Sequence, residues 1–243
     1  MLNDTLSTEF LNIYNEIDEY MRNKLNKGYG ISHTDLIDDL SNIDYVIYAN
    51  RRKLKQYAKL RNAIVHDSKK NANPIAEPHP IIVGEYKKIL DHLKNPPNAL
   101  SIAVPGDKIL TADINDRAID IINIMNEKCF THIPVFDKGN FVGVFSENTL
   151  FTYLAKNEAI TLDSDTTLNK FKDILGIDKH DTEQFQFISK NKCIYEVEEL
   201  FRKYLSSQKR LAVVFITENG EQNEKLLGLI TAWDVAGSTI NNE

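Results

Sequence analysis

Gly228-Leu229-Ile230-Thr231-Ala232-Trp233-Asp234 is the stretch on which the reading of this chain turns. The apolar run from Leu226 to Ile230 followed by Thr231 reads as a short strand entering a helix start. Helix starts leave unpaired N–H groups and carry the positive end of the macrodipole, so they hold phosphate well. The Thr231 hydroxyl lies at the same place. Asp234 follows three residues later on the same helical face, where its carboxylate can accept bonds from both hydroxyls of a ribose. A second reading needs no ligand: Thr231 as N-cap and Asp234 at N3 form a capping box. The heptapeptide alone leaves both open, and a weaker copy elsewhere in the chain bears on the choice.

That copy lies upstream. Ala118, Ile121, Ile122 and Met125 form a helical apolar stripe, and Val197, Leu200, Phe201 and Tyr204 repeat it 79 positions later. Each stripe leads into a β-rich run, His132-Ile133-Pro134-Val135-Phe136 and Arg210-Leu211-Ala212-Val213-Val214. A turn follows, Asp137 to Asn140 in one copy and the longer Thr217 to Glu224 in the other. Gly143-Val144-Phe145-Ser146 then matches Gly228-Leu229-Ile230-Thr231. Each copy is strand–helix–strand–turn–strand–helix. Residues 161–183, between them, hold an extra helical piece (Leu168, Phe171, Leu175) and a polar loop. A unit this small cannot bury its sheet alone, so the copies are expected to pack about a pseudo-twofold axis, with ligand clefts between their strand ends.

Residues 1–97 read differently. Leu6, Phe10, Ile13, Ile17 and Tyr20 mark one helix stopped by Lys27-Gly28-Tyr29-Gly30. A short helix is expected from Thr34, as N-cap, to Leu40. A long one should run from Asp44 to His66 with Leu54, Tyr57, Leu60 and Ile64 inside, and a last one from Ile81 to Leu93. Pro96-Pro97 is the expected domain boundary. The fold class is therefore α+β: a helical bundle over 1–97, a first repeat copy over 98–159, and a second over 160–243 that includes the inserted segment.

With 42% hydrophobic and 26% charged residues, the chain has the composition of a protein that can fill a core. No apolar run is long enough to span a bilayer, and the N-terminal residues lack a basic region followed by an apolar core, so no membrane and no signal peptide are expected and the location is read as cytoplasmic. Cys129 and Cys193, at matching places in the repeat, read as small buried residues and no metal site is expected. The net charge of −6 excludes a protein that coats nucleic acid with its whole surface. Residues 51–70 are nevertheless basic, with Arg51, Arg52, Lys53, Lys55, Lys59, Arg61, Lys69 and Lys70 against Asp67. Such a face can meet RNA, meet acids such as Asp38 and Asp39 of a partner subunit, or lie in solvent.

The duplicated half resembles a CBS domain pair, the Bateman module, over about residues 101–240. Its usual signature is Gly–apolar–any–Thr/Ser–any–any–Asp/Asn after an apolar–Pro–Val strand. Gly228, Leu229, Thr231 and Asp234 fit in full; Gly143, Val144 and Ser146 fit, with Thr149 where the acid or amide belongs. Pro134 and Val135 fit in the first copy, while Ala212 replaces the proline in the second. The resemblance implies an adenosine-containing ligand: AMP, ADP or ATP, with S-adenosylmethionine or a cyclic dinucleotide in the same class. It implies that Thr231 meets phosphate, Asp234 the ribose, and Arg210 the phosphate from the strand position of nucleotide-sensing members. His132 and Ser146 hold the equivalent places in a first copy expected to be poor or empty.

The helical half resembles HEPN domains through Leu60-Arg61-Asn62-Ala63-Ile64-Val65-His66, an Arg–Asn–three residues–His element. Many HEPN domains are metal-independent ribonucleases and many dimerise. That implies a catalytic pair in which His66 moves protons and Arg61 holds phosphoryl oxygens. Five residues apart on one helix they lie about 140° apart, so a homodimer would have to bring two motifs together. The whole chain is thus expected to be a dimeric regulator that senses an adenine nucleotide and moves its helical domain, or alternatively an endoribonuclease gated by that nucleotide.

Overall fold

A computed structural model describes residues 5–65, 76–156, 163–205 and 207–240. The chain divides into two compact units, Met1–Pro97 and Asn98–Glu243.

The first unit contains four described helices: α1 (Leu6–Leu25), α2 (His33–Leu40), α3 (Tyr45–Val65) and α4 (Pro80–Lys94). Thr5 caps α1 by accepting from the Thr8 N–H, and the helix stops at Asn26, in the left-handed conformation, before the expected glycines. Ser32 rather than Thr34 caps α2, because its hydroxyl reaches the Asp35 N–H at the N3 position. Asp44 holds the first turn of α3 by accepting from the N–H groups of Val46 and Ile47. Pro80 opens α4 as its first residue, where its missing donor costs nothing. Phe10, Ile13, Ile17 and Met21 of α1 bury against Leu54, Tyr57 and Ile64 of α3 and against Val83, Tyr86 and Ile89 of α4. Phe10 lies 6.0 Å from Tyr57 and 5.0 Å from Tyr86, ring centre to ring centre.

Part of the basic face of α3 pairs with acids of its own chain. Arg51 and Lys55 both reach Asp38 on α2, and Lys53 reaches Glu85 on α4. These pairs are exposed and add little to stability. Arg52 and Lys59 stay exposed, while Lys69 and Lys70 lie outside the described residues.

The second unit has the expected two-copy plan. β1 (Val104–Pro105) precedes the first copy, in which β2 (Ala112–Asp113) runs parallel to β3 (His132–Asp137), with α5 (Ala118–Lys128) as the crossover. β3 pairs antiparallel with β4 (Asn140–Ser146), and α6 (Glu147–Lys156) follows. After a 3-10 turn, Leu168–Phe171, and the short α7 (Lys172–Leu175), the pattern recurs. β5 (Glu183–Ser189) runs parallel to β6 (Arg210–Thr217), with α8 (Ile194–Tyr204) between them. β6 pairs antiparallel with β7 (Gly228–Ile230), and α9 (Ala232–Ile240) follows.

Each copy is completed by the segment that precedes the other. β1 pairs with β7, and Ala99, Leu100, Ile102 and Ala103 pack with Val197, Val214, Ile216 and Ile230 of the second copy. Leu168, Phe171 and Leu175, placed by sequence order with the second copy, bury instead among Ala118, Ile121, Met125 and Phe145 of the first. A three-stranded sheet with two helices leaves apolar surface uncovered, and the crossing segments close it. This exchange also explains the motif glycines. A Cβ on Gly143 would lie 2.0 Å from the Leu175 carbonyl oxygen, and one on Gly228 would lie 3.0 Å from the Ala103 Cβ. Between the two sheets, Val144, Phe185, Val213, Phe215 and Leu226 form a shared apolar layer.

The cysteines depart from expectation. Cys129 is exposed and ends α5 in the left-handed conformation, while Cys193 is half-buried at the start of α8. They sit at opposite ends of the matching helices, where loop geometry rather than core packing sets their surroundings.

Candidate functional site

In the first copy, strand register brings His132 of β3 directly opposite Ser146 of β4. Ser146 and Thr149 cap each other at the start of α6. The Ser146 N–H donates to Thr149 Oγ1 at 3.0 Å and the Thr149 N–H to Ser146 Oγ at 3.2 Å. Into this place comes Glu183, the first residue of β5 from the other copy. Its carboxylate accepts from Ser146 Oγ and Asn148 Nδ2 at 2.8 Å each, from His132 Nε2 at 2.9 Å and from His180 Nδ1 at 3.1 Å. The other ring nitrogen of His180 faces the Leu175 carbonyl oxygen at 3.2 Å. Burial pushes the Glu183 carboxyl upward, but donation from His132, His180 and Ser146 outweighs it and holds the group well below the usual carboxylate range. The polar atoms of the first cleft are thus met by a carboxylate of the chain itself.

In the second copy, Thr231 is the residue before α9. Asp234 Oδ2 accepts from the Thr231 N–H and from Thr231 Oγ1, both at 2.7 Å. Both side chains are half-buried, and among the described residues the Asp234 carboxylate bonds only to Thr231. The first N–H groups of α9, at Ala232 and Trp233, have no partner within the helix by helical geometry. Half of the capping box is therefore present, since the Asp234 N–H goes to the Thr231 carbonyl oxygen at 3.2 Å, and one carboxylate oxygen, the hydroxyl lone pairs and the helix start are left available to a ligand.

Arg210 does not join them. β7 pairs Ile230 with Val214, so the same register carried one step places Thr231 level with Val213. The first copy sets Val135 against Gly143 and Ala112, and the second sets Ile216 against Gly228 and Ile188. The counterpart of His132 is then Val213, which is buried, and Arg210 stands three residues earlier, about 10 Å along the strand. Arg210 is exposed and pairs in register with Glu183. The cause is the longer connection between α8 and β6, which shifts β6 relative to the apparent match.

Residues 101–156 match the CBS domain family model. The match takes in α5, β3, β4 and α6, and the two-copy topology extends the CBS-type α+β organisation through the rest of the second unit. No curated protein matches the chain. Among solved structures, a CBS domain from Clostridium difficile 630 is 19% identical over 61% of this chain and 97% of its own, with a TM-score of 0.43. A CBS-domain protein from Burkholderia ambifaria MC40-6 is 22% identical over 60% and 96%, with a TM-score of 0.44. The CBS domain pair of protein MJ0100, solved with 5′-methylthioadenosine and S-adenosyl-L-methionine, is 15% identical over 61% and 99%, with a TM-score of 0.42.

The catalytic pair expected of the helical unit is half described. Arg61 is half-buried on α3 with its guanidinium 5.3 Å from the Tyr14 ring centre, and His66 lies outside the described residues. Sequence reasoning missed Glu183 and His180. The one available signal was an acid heading the aromatic alternation Phe185, Phe187, three residues after a histidine. No helix among the described residues is long and apolar enough to cross a membrane.

Proposed function

We propose that the second unit is a regulatory CBS pair, with copies over 98–159 and 160–243, that binds one adenosine-containing nucleotide per chain in its second copy. The observation that carries this reading is the contrast between the helix starts. Ser146 and His132 are engaged by Glu183, while among the described residues the Thr231 and Asp234 side chains engage only each other. An arriving nucleotide would take the Thr231 hydroxyl and the α9 N–H groups to phosphate oxygens and leave the Asp234 carboxylate to accept from the ribose hydroxyls. Arg210 has no part in that grip. AMP, ADP and ATP are the leading ligands, and S-adenosylmethionine and cyclic dinucleotides share the same chemistry.

Exposed apolar residues support a homodimer: Phe151 and Leu154 on α6 and Trp233 on α9 stand 71%, 50% and 86% exposed. Nucleotide binding would change the packing of two such pairs and so shift the helical units, which are the output. Calorimetric titration with AMP, ADP, ATP, S-adenosylmethionine and cyclic di-AMP tests the reading. Binding of one nucleotide per chain that is lost in Asp234→Ala supports it. Absence of binding, or binding indifferent to Asp234→Ala, rejects it.

A further inference from the structure

The second unit packs as two bodies that do not follow the order of its copies. One holds β2, β3, β4, α5 and α6 together with Leu168, Phe171 and Leu175. The other holds β5, β6, β7, α8 and α9 and, through β1 and Ala99, the segment before the first copy. The chain passes between the bodies at residues 106–111 and again at residues 176–182. Each crossing opens on a glycine and leads to an apolar residue of the shared layer, Ile109 after the first and Phe185 after the second. That layer resists separation of the bodies but sets no direction, because hydrophobic attraction is non-directional. Polar ties decide which way the bodies can move.

Those ties are lopsided. At the second crossing, Glu183 reaches from its own body to His132, Ser146 and Asn148 of the other, at 2.9, 2.8 and 2.8 Å. His180 is buried and staples the crossing itself, with one ring nitrogen 3.1 Å from Glu183 Oε2 and the other 3.2 Å from the Leu175 carbonyl oxygen. Both imidazoles also flank Phe185, with ring centres 5.9 Å away for His132 and 4.8 Å for His180. The first crossing carries an acid at the matching place. Ala112 and Ile188 correspond by register, so Asp107 and Glu183, each five residues earlier, correspond by count. Asp107 sits exposed in a 3-10 turn, and among the described residues its carboxylate takes no hydrogen bond or ion pair. The Gly106 N–H, at the start of this crossing, donates to the Leu227 carbonyl oxygen at 2.9 Å, a bond that stays within one body.

We propose that the two bodies form a clasp hinged at the first cleft, in which the Glu183 cluster is the fixed pivot and opening separates the start of β2 from α9 at the second cleft. Four contacts around one buried carboxylate fix distance and direction together, so movement there breaks several bonds at once. At the second cleft the Thr231 and Asp234 side chains, among the described residues, bond only to each other, and movement there parts apolar surface alone. Glu183 thereby directs the motion of the pair as well as filling the first cleft. The clasp is a property of the protein without ligand and stands or falls independently of nucleotide binding.

Spin-label distances in the full chain, with no nucleotide added, provide the test. Cys129→Ser and Cys193→Ser remove the native thiols, and labelled chains are diluted in unlabelled ones so that only distances within one chain are read. One label pair, at Ala155 on α6 and Thr182 before β5, spans the first cleft. The other, at Thr111 before β2 and Ala236 on α9, spans the second, and all four positions are exposed. The first pair is expected to give a narrow distance distribution and the second one at least about twofold wider. Glu183→Gln should widen the first distribution and leave the second as it was. Should Glu183→Gln fail to fold, His132→Val, which places the residue type of the second cleft in the first, removes one tie and should widen the first distribution alone. Equal widths at the two clefts of the unsubstituted chain overturn the proposal. So does a substitution that widens both distributions, as a general loss of stability would, or that widens neither.

Discussion

The two helix starts of the CBS-type unit began as copies of one pattern and ended with different occupants. At α6, Ser146 and Thr149 cap each other and Glu183 fills the remaining space with a carboxylate held by four side chains. At α9 the Asp234 carboxylate accepts from the Thr231 N–H and hydroxyl, and that carboxylate belongs to the motif itself. A cleft of this kind is built for negative charge. One copy carries that charge in from across the interface, and the other keeps its own acid placed to accept hydroxyls.

The largest expected effect comes from the crossing segments. Gly143→Ala should destabilise the second unit by about 3 kcal/mol or more, because the new methyl meets backbone at 2.0 Å. Gly228→Ala meets a side-chain methyl at 3.0 Å and should cost about 1 kcal/mol. Denaturant unfolding checks both, and equal costs would break the difference drawn here.

Glu183→Ala comes next. It strands His132, His180, Ser146 and Asn148 without their acceptor, a loss of about 3 kcal/mol by analogy with other broken buried pairs. The native pair has a defined pH dependence. The Glu183 carboxyl titrates below its unfolded value of 4.5, so its contribution is complete above that pH and is lost as pH falls toward the folded value. Glu183→Gln should flatten that acid limb. An unchanged acid limb would show that the four contacts contribute nothing to stability.

Asp234→Ala is expected to weaken nucleotide binding by at least about tenfold while costing only about 1 kcal/mol of stability through the lost cap. Thr231→Val, measured by the same titration, should weaken binding by a smaller factor, since the α9 N–H groups remain. To sharpen the contrast, Thr149→Asp alone should destabilise, by setting a second carboxylate beside Glu183, whereas Thr149→Asp with Glu183→Ala should raise the stoichiometry toward two nucleotides per chain. A double variant that stays at one nucleotide would show that more than these two residues separates the copies.

The helical periods of the first unit and the doubled strand–helix plan of the second were legible because both rest on spacing along the chain. Phe10, Ile13 and Ile17 bury as their intervals require, and Ala118, Ile121 and Met125 do the same. Ends were less legible. Ser32 and Thr34 are equally good caps by type, and only the position of the Asp35 N–H chose between them. Arg210 matched His132 by residue order alone. The register of β6 against β7, set by hydrogen bonds across a longer connection, moved Val213 into that place.

The amino-acid order by itself determined the elements, the duplication and the acid three residues after Thr231, because each is a matter of local interval. The tertiary structure alone decided that Leu168, Phe171 and Leu175 serve the opposite copy and that Glu183 enters the first cleft. Those outcomes depend on which apolar faces bury against which and on which polar atoms are then left to be met. No short stretch of sequence carries that information.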